Sequence, residues 1–362
     1  MNWAWIICSG VGVSVLLTLI VMPYILHISF EKRLFDRPDK RKIHNGVIPR
    51  LGGFAFMPVM LVTLGMFLAF IQGGGWPGVI SLDSLQSVFV AFGAMTVLFF
   101  VGLVDDLIGL RYFSKMGAQA LAAAILLAGG MVLTDYGHLF GLGQVGYGWG
   151  ALISFFLILY IINAINLIDG IDGLASGLVA EALIVFGSYF YITGAYFYSL
   201  VAWVATGTVA VFWCFNALGS KKRHTKIFMG DIGSLTLGLL IAFLVIVLAG
   251  GGMTEQGPDV ALIVALSPLV LPLFDVIRVF IVRLCTGKSP FLPDKGHIHH
   301  LLLATGLKAP LVMIAMLLIQ AGIFLLDYGL AENVEINVIM GIDAGIYLLL
   351  VAVALLLKKR TQ

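Results

Sequence analysis

The chain has 362 residues, of which 60% are hydrophobic and 11% are charged, and its net charge is +2. Soluble domains usually carry about 25% charged residues, so this composition excludes an ordinary soluble protein. The near-neutral charge also gives no indication of a nucleic-acid partner. We expect an all-α integral membrane protein that crosses the lipid bilayer many times.

Apolar segments of spanning length recur from one end of the chain to the other. We predict eleven transmembrane helices, over residues 3–28, 51–71, 88–104, 116–133, 149–165, 174–192, 198–218, 233–249, 260–277, 310–326 and 337–357. The first is interpreted as a retained span, because its first positive charges, Lys32 and Arg33, follow the apolar run, whereas those of a signal peptide precede it. Residues 1–362 are treated as one polytopic membrane domain, since no second domain or internal repeat is evident.

The 21 lysines and arginines occupy alternate connections of this eleven-span arrangement. They lie between spans one and two, between three and four, between seven and eight, from the end of span nine to span ten, and in the C-terminal tail. The opposite loops, such as TDYGHLFGLGQ and GGGMTEQGPD, contain none. By the positive-inside rule the charged side is cytoplasmic, which predicts an outer N-terminus and a cytoplasmic C-terminus.

Four polar groups map to this cytoplasmic side, and each also has a structural interpretation as a loop, a turn or a helix cap. They lie in VGLVDDLIGLR, NAINLIDGIDGLASG, KIFMGDIGSL and GKSPFLPDKGHIHHLLL, and contain Asp105, Asp106, Asn163, Asn166, Asp169, Asp172, Asp231, His297, His299 and His300. The charge pattern that defines this side does not depend on any of them. Four separate segments with acidic or imidazole groups on one face therefore favour a functional site.

Crowded carboxylates raise each other's pKa unless a cation lies between them. Mg²⁺ prefers oxygen ligands and usually takes only one or two carboxylates together with phosphate oxygens of a substrate. The five aspartates therefore predict a hard-cation site at the membrane surface. Four basic residues on the same side are expected to bind phosphate oxygens, namely Arg41, Lys42, Lys115 and Lys226.

Two local patterns refine this site. Asn163, Asn166, Asp169 and Asp172 step by three, so neighbouring pairs meet on a helix, but all four converge only if the turn tightens. Asp231 lies between two glycines at a predicted helix start, where exposed main-chain amides are expected to meet phosphate.

These residues make the chain resemble the polyprenyl-phosphate N-acetylhexosamine-1-phosphate transferase family, whose relatives include the phospho-N-acetylmuramoyl-pentapeptide transferases. The matching pieces follow the family order and are DRPDKRKIHNGVIPRLGG (36–53), VDDLIGLR (104–111), NLIDGIDGLASG (166–177), FMGDIGSLTLG (228–238) and GKSPFLPDKGHIHHLL (287–302). The resemblance implies a Mg²⁺-dependent enzyme, with Mn²⁺ as an alternative ion, whose active site faces the cytoplasm from the bacterial inner membrane.

The implied reaction transfers N-acetylglucosamine 1-phosphate from its UDP-sugar to undecaprenyl phosphate, giving undecaprenyl-diphospho-N-acetylglucosamine and UMP. It is the first membrane step of a cell-envelope glycan pathway, such as lipopolysaccharide or teichoic acid biosynthesis. Related enzymes are often dimers, so a homodimer is a further expectation.

The resemblance also implies roles for individual residues. The expected catalytic residues are Asp105, Asp106, Asp169 and Asp172, and the expected metal ligands are Asp106 and Asp231. Substrate contacts are expected from Lys42, His44, Arg50, Lys115, Asn166, Asn216, Phe228, His297, His299 and His300. Asp105 would accept a proton near the lipid phosphate, Phe228 would stack on the nucleobase, and Asn216 would reach the uracil edge. The histidines would contact the sugar or the diphosphate.

Three alternatives stay open. An ion-coupled transporter would place carboxylates near mid-membrane in both halves, whereas these cluster at one surface. A CDP-alcohol phosphatidyltransferase also contains DG repeats, but its longer motif needs an Ala-Arg pair and further aspartates that DGLASGLVAEAL lacks. A sister enzyme would use UDP-GalNAc or UDP-MurNAc-pentapeptide, although the HIHH and HNGVIPRLGG segments are closer to the N-acetylglucosamine branch. Outside these motifs, Asp275 and Arg278 are interpreted as a structural ion pair.

Overall fold

A computed structural model describes residues 2–34, 48–74, 78–250, 257–287 and 296–361. Within these ranges the chain forms thirteen α-helices and no strand beyond an isolated bridge between Asp135 and Gln144. The helices are α1 Trp3–Glu31, α2 Phe56–Gly73, α3 Leu82–Ile108, α4 Tyr112–Ala128, α5 Tyr147–Ile168, α6 Leu174–Ile192, α7 Tyr196–Trp213, α8 Gly230–Gly250, α9 Pro258–Leu266, α10 Val270–Cys285, α11 Ile298–Leu303, α12 Ala309–Leu330 and α13 Ile336–Thr361. The all-α prediction is confirmed.

Ten helical segments of the described chain are long and apolar enough to cross a membrane, so the protein is a multi-pass membrane protein. Three of these segments change helix type along their length, and in the first of them the 3₁₀ turn Leu51–Ala55 precedes α2. α9 and α10 form one segment interrupted by the 3₁₀ turn Ser267–Leu269, and α7 continues into the π-turn Cys214–Leu218.

The fourth predicted span, residues 116–133, corresponds to α4, which has 17 residues and is shorter than the ten segments above. This helix begins at Tyr112, ahead of the predicted start at residue 116, and it ends before Gly129. Gly130 follows with a φ of +84°, a left-handed conformation that commonly ends a helix. The predicted end at residue 133 is therefore wrong.

Helix α8 lies at the centre of the bundle. Its residues Ile232–Ala249 are all buried, and it packs against α3, α5, α6 and α9. A helix that is apolar on every side is stable only when other apolar surfaces surround it. Glycines permit the close contacts: a Cβ on Gly102 of α3 would lie 2.5 Å from the Cα of Ile232, and one on Gly238 would lie 2.9 Å from the Cα of Ile162.

The connections between helices gather at two ends of the bundle. At one end, the Phe228 N–H donates to the Pro49 carbonyl at 2.8 Å and the Gly52 N–H donates to the Phe228 carbonyl at 3.0 Å. The lysines and arginines that the structure describes lie in the connections of this end or in the helix turns beside them, and we call this the basic end. At the opposite end, the Phe140 N–H donates to Asn337 Oδ1 at 2.8 Å, which joins the α4–α5 loop to the start of α13. The helices therefore separate the two groups of connections as the charge pattern predicts.

Candidate active site

Lys115 bridges two aspartates at the basic end. Its Nζ lies 3.1 Å from Asp105 Oδ2 and 3.0 Å from Asp231 Oδ2. Gly109, with a φ of +78°, turns the chain between α3 and α4 and so brings Lys115 back to Asp105. The Leu110 N–H donates to Asp105 Oδ1 at 2.6 Å and fixes that carboxylate. The last turn of α3 and the first turns of α4 and α8 thus meet in one partly exposed cluster.

Asp106 caps the N-terminus of α8. Its Oδ1 accepts the Asp231 N–H and its Oδ2 accepts the Ile232 N–H, both at 3.0 Å. A glycine is needed at position 230, where φ is +72° and a Cβ would lie 2.3 Å from Asp106 Oδ2. The expectation that these amides meet phosphate is wrong, because a carboxylate of the protein already takes the favourable position at the helix N-terminus.

The four polar residues spaced three apart near the α5–α6 connection, from Asn163 to Asp172, do not share the same hydrogen-bond partners. Asn163 Nδ2 donates to Gln119 Oε1 at 2.7 Å, within the bundle. Asn166 Nδ2 instead donates to Asp231 Oδ1 at 2.7 Å. Asp169 is no longer helical, with a ψ of 59°. The four residues therefore do not converge, and Asn163 lies outside the candidate site.

Asp169 lies among several other charged groups. Removal from water and the charges of Asp231, Asp172 and Asp106 raise its pKa to about 7, and the Arg50 guanidinium offsets part of this rise. Three carboxylates are thus close enough to Asp169 to act on it electrostatically. Such crowding of carboxylates is relieved when a hard cation binds among them.

A second group of contacts joins the α5–α6 connection to the segment before α8. Asp172 Oδ2 lies 2.5 Å from Lys226 Nζ in a largely buried ion pair. Asn216, in the π-turn, accepts the Gly173 N–H at 2.6 Å and donates to the Ile227 carbonyl at 2.8 Å. These bonds give Asn216 a supporting role, and its contact with uracil stays a prediction.

The histidines lie on the short helix α11 and the residue before it, and Asp275 of α10 holds this segment. Asp275 Oδ2 lies 2.7 Å from His297 Nδ1, and Asp275 Oδ1 accepts the Ile298 N–H at 2.9 Å. Arg278 Nη2 and the Tyr347 hydroxyl also donate to Asp275 Oδ1, each at 2.8 Å. The predicted Asp275–Arg278 pair is confirmed, and it belongs to a larger network that positions His297.

His299 packs directly on the α5–α6 connection. A Cβ on Gly170 would lie 2.0 Å from His299 Nε2, so the ring touches the main chain beside Asp169. Its ring centroid is 4.2 Å from that of His300 and 5.9 Å from that of His297. Burial and the neighbouring imidazoles lower the pKa of His299 to about 3, so the ring is neutral at physiological pH. In the part of the chain that the structure describes, neither ring nitrogen has a hydrogen-bond partner.

The remaining expected substrate contacts have different outcomes. Arg50 and Phe228 lie on the paired segments before α2 and α8, at the edge of the aspartate cluster. Lys42 and His44 lie outside the described residues. The substrate contacts of all four stay predictions.

Sequence reasoning missed several supporting residues. Ser234 accepts from Asn166 Nδ2 at 2.8 Å, and Trp213 Nε1 donates to the Gly173 carbonyl at 3.0 Å. Ser234 follows the α8 aspartate by one helical turn, a spacing that indicates a shared face. Tyr347 comes from α13, and its place beside Asp275 has no signal in the local sequence.

The carboxylates suit a hard cation in their chemistry, although they do not form a complete set of protein ligands. Among the described residues, no group of three or more His, Cys, Asp or Glu side chains is arranged to hold a metal ion. Mg²⁺ usually takes one or two carboxylates and completes its shell with phosphate oxygens and water. Asp231 and Asp106, both beside the crowded Asp169, fit a site of this kind.

The fold and the site define a multi-pass membrane protein with a lysine-bridged acidic cluster at one end of its bundle. The family model for glycosyl transferase family 4 matches residues 88–249, from α3 to α8. An undecaprenyl-phosphate alpha-N-acetylglucosaminyl 1-phosphate transferase of Yersinia pestis is 31% identical over 281 residues, which are 77% of this chain and 72% of that protein.

Two further relatives have the same type of name. The protein from Shigella flexneri is 29% identical over 286 residues, covering 75% of this chain and 70% of its own length. A probable undecaprenyl-phosphate N-acetylglucosaminyl 1-phosphate transferase of Bacillus subtilis is 29% identical over 308 residues, covering 85% and 80%. The chain belongs to glycosyl transferase family 4, together with these undecaprenyl-phosphate sugar-phosphate transferases, and the expected family is confirmed.

Proposed function

We propose that this protein transfers N-acetylglucosamine 1-phosphate from UDP-N-acetylglucosamine to undecaprenyl phosphate in the inner membrane of a bacterium, releasing UMP. The observation that supports this most directly is the Lys115 bridge between Asp105 and Asp231. It lies at the end of the bundle where the family-like segments meet. The relatives described above carry this lipid acceptor and this sugar phosphate in their names.

The basic end is proposed to face the cytoplasm. The lysines and arginines lie in, or beside, the connections of this end, and cytoplasmic loops of membrane proteins carry such an excess. A UDP-sugar would then reach the aspartate cluster from water, while the lipid phosphate would approach from the bilayer.

Phosphoryl transfer depends mainly on positioning and charge stabilisation. An oxygen of the lipid phosphate attacks the sugar-linked phosphorus of the UDP-sugar. The new P–O bond forms as the bond from this phosphorus to the bridging diphosphate oxygen breaks, and UMP leaves with that oxygen. A phosphate monoester has a second pKa of about 6, so most of the lipid phosphate is already ionised. Asp105 needs to accept a proton only from the remainder.

Lys115 has two roles in this scheme. Before substrate binds, its ammonium group balances the charges of Asp105 and Asp231. When substrate binds, the flexible side chain turns toward phosphate oxygens, with which it forms charge-assisted hydrogen bonds. Asp105 stays in place because the Leu110 amide continues to hold its other oxygen.

Mg²⁺ is the proposed cofactor, with Asp231 and Asp106 as its protein ligands and Asp169 close to them. Burial is the largest cause of the raised pKa of Asp169, about 7, and the neighbouring carboxylates add to it; a divalent cation relieves this second contribution. When bound, Mg²⁺ neutralises the diphosphate and makes UMP a better leaving group.

The nucleotide is proposed to bind between the α5–α6 connection and the segment before α8, and the sugar phosphate beside α11. Because His299 is neutral, it can donate one hydrogen bond and accept another. The residues assigned to these contacts are Lys42, His44, Arg50, Asn166, Asp169, Asp172, Asn216, Phe228, His297, His299 and His300.

The test is a transfer assay on the purified full chain in detergent, with undecaprenyl phosphate, Mg²⁺ and a panel of UDP-sugars. We expect UMP and a lipid-linked product from UDP-N-acetylglucosamine, and loss of both when EDTA is added. Product from UDP-GalNAc or UDP-MurNAc-pentapeptide alone would support the sister-enzyme alternative. No product with any sugar, from protein shown to be folded, would overturn the proposal.

Variants connect this activity to the aspartate cluster. We expect Asp105→Asn and Asp231→Asn each to lower turnover by about 10³-fold or more, since each removes a charge next to the reacting phosphates. The matched control is Asp83→Asn, at the other end of α3, which should retain activity. Near-normal turnover by either cluster variant would contradict the assignment.

A further inference from the structure

An open groove lies at the basic end, between the end of α1 and the π-turn after α7. Its volume is about 460 Å³. Leu26, His27 and Phe30 of α1 line one wall, and Phe215 and His224 line the other. The lining is mostly apolar and ends in two imidazoles, so the groove suits a hydrocarbon chain with a polar group at its end.

The backbone on each side of the groove turns through a left-handed residue. Arg33 and His224 each have a φ of 54°, in the left-handed region that residues other than glycine rarely adopt. The ring of His224 meets the ring of Phe30 edge-on, with centroids 4.7 Å apart. Arg33 ends α1, where the Leu34 N–H donates to the Ser29 carbonyl at 2.9 Å, and His224 ends the turn in which the Thr225 N–H donates to the Ser220 carbonyl at 3.1 Å.

The groove also has a positively charged rim. Lys32 and Arg33 follow its α1 wall directly, and residues 221–223, Lys-Lys-Arg, precede His224 and are exposed. Glu31 is the acidic neighbour, and it lies 3.6 Å from Lys32 Nζ. Basic side chains beside an apolar groove at a membrane surface match a lipid with an anionic headgroup.

We propose that this groove binds an anionic glycerophospholipid of the bilayer, with an acyl chain between the two walls and its phosphate at the basic rim. The charge of the rim distinguishes this occupant from a neutral lipid. The position of the groove argues against the polyprenyl phosphate substrate. α1 packs on α7 and α2, whereas the reacting groups Asp105 and Lys115 belong to α3 and α4.

The second wall of the groove is connected to the α5–α6 connection through one turn. Phe215 lines the groove, and the next residue, Asn216, holds Gly173 of the α5–α6 connection. Both belong to the π-turn Cys214–Leu218, a helix type that is often found at functional sites. A lipid against Phe215 therefore supports the turn that carries Asn216. The proposed lipid site does not depend on the catalytic proposal, because it rests on the lining and the charge of the groove.

Tryptophan quenching tests the lipid without using activity. His27→Trp places a fluorophore in the groove. The control Ile28→Trp places one at nearly the same depth on α1, at an exposed position that does not line the groove. The quenching of the parent protein, which has six native tryptophans, is subtracted from both. The purified full chain is reconstituted in phosphatidylcholine vesicles containing brominated phosphatidylglycerol or, in parallel, brominated phosphatidylcholine at the same mole fraction. We expect the anionic quencher to be at least about twofold more effective at His27→Trp, and both quenchers to act equally at Ile28→Trp.

A charge variant tests the rim. In the His27→Trp background, K221Q/K222Q/R223Q should abolish the preference for the anionic quencher. The control K308Q/K358Q/K359Q removes the same charge from the same end of the bundle and should retain the preference. Equal quenching of His27→Trp by both lipids, in the protein that keeps Lys221, Lys222 and Arg223, would overturn the proposal. So would relief of quenching by added undecaprenyl phosphate, because it would identify the substrate as the occupant.

Discussion

The two ends of the bundle each contain a histidine bonded to an aspartate at the same distance. His297 Nδ1 lies 2.7 Å from Asp275 Oδ2 at the basic end, and His138 Nδ1 lies 2.7 Å from Asp259 Oδ2 at the opposite end. The side chains of the first pair are 6% and 1% exposed, and those of the second are 80% and 26% exposed. The two pairs therefore have the same distance, but the first is buried and the second is exposed to solvent.

Burial determines what each pair contributes. Water can replace the partner of an exposed ion, so an exposed pair adds little to stability. A buried ion that loses a partner stays uncompensated, and the cost is large. Asp275 accordingly accepts from Arg278, Tyr347 and Ile298 as well. At the basic end these bonds fix α11 against α10 and α13. At the opposite end the His138–Asp259 pair only joins the α4–α5 loop to the start of α9.

The largest effect is expected from breaking the buried pair. Asp275→Asn keeps the size of the side chain but removes the charge that compensates Arg278 and orients His297. We expect the free energy of unfolding to fall by about 3 kcal/mol, measured by thermal unfolding in detergent, and the transferase activity to fall as well. The matched control, Asp259→Asn at the opposite end, should leave both nearly unchanged. Equal effects of the two variants would show that burial does not separate the pairs.

A smaller effect is expected from displacing His299 without changing any charge. Gly170→Ala adds a methyl group that would lie 2.0 Å from His299 Nε2, so the imidazole must move away from the α5–α6 connection. Overpacking of this kind costs about 1–3 kcal/mol, and we expect a lower melting temperature together with reduced turnover.

Gly148→Ala is the control for this substitution. Position 148 lies in α5 near the opposite end, with open space around the added methyl group. Its stability should stay unchanged or rise slightly, because alanine favours a helix over glycine. Full activity of Gly170→Ala would mean that contact between His299 and this connection is not needed for catalysis.

The division into two ends could be predicted from the sequence because charge and hydropathy act over whole segments. Span length and the alternation of lysine-rich and lysine-free loops depend on the composition of whole segments. The predicted topology therefore stays the same when a helix boundary is wrong by a few residues. The sequence places the end of α4 too late because an apolar run continues past Gly129 and Gly130, and only the left-handed Gly130 marks the true end.

The partners within the site could not be predicted in the same way. Asp106 binds the amides of α8 because α3 and α8 pack together through Gly102, a contact between distant parts of the chain. Asn163 and Asn166 have the same side chain and similar surroundings in sequence. Their partners differ because α4 packs on one side of α5 and α8 on the other. Asn163 therefore donates to Gln119 of α4, and Asn166 donates to Asp231 of α8.

The smallest effect is expected at the exposed pair, and its sign follows from its titration. The hydrogen bond and the negative charge of Asp259 raise the pKa of His138 above its usual value of 6.5. The pair therefore adds its stability fully below about pH 6.5 and loses it as the pH rises through the raised pKa of the folded protein. The melting temperature of His138→Gln should differ from that of the unmodified protein more at about pH 6 than at about pH 9. A difference that grew toward high pH would mean that the neutral imidazole is the stabilising form. The loop at the opposite end would then be held by its main-chain bond to Asp259 and by Asn337, without help from the charge on His138.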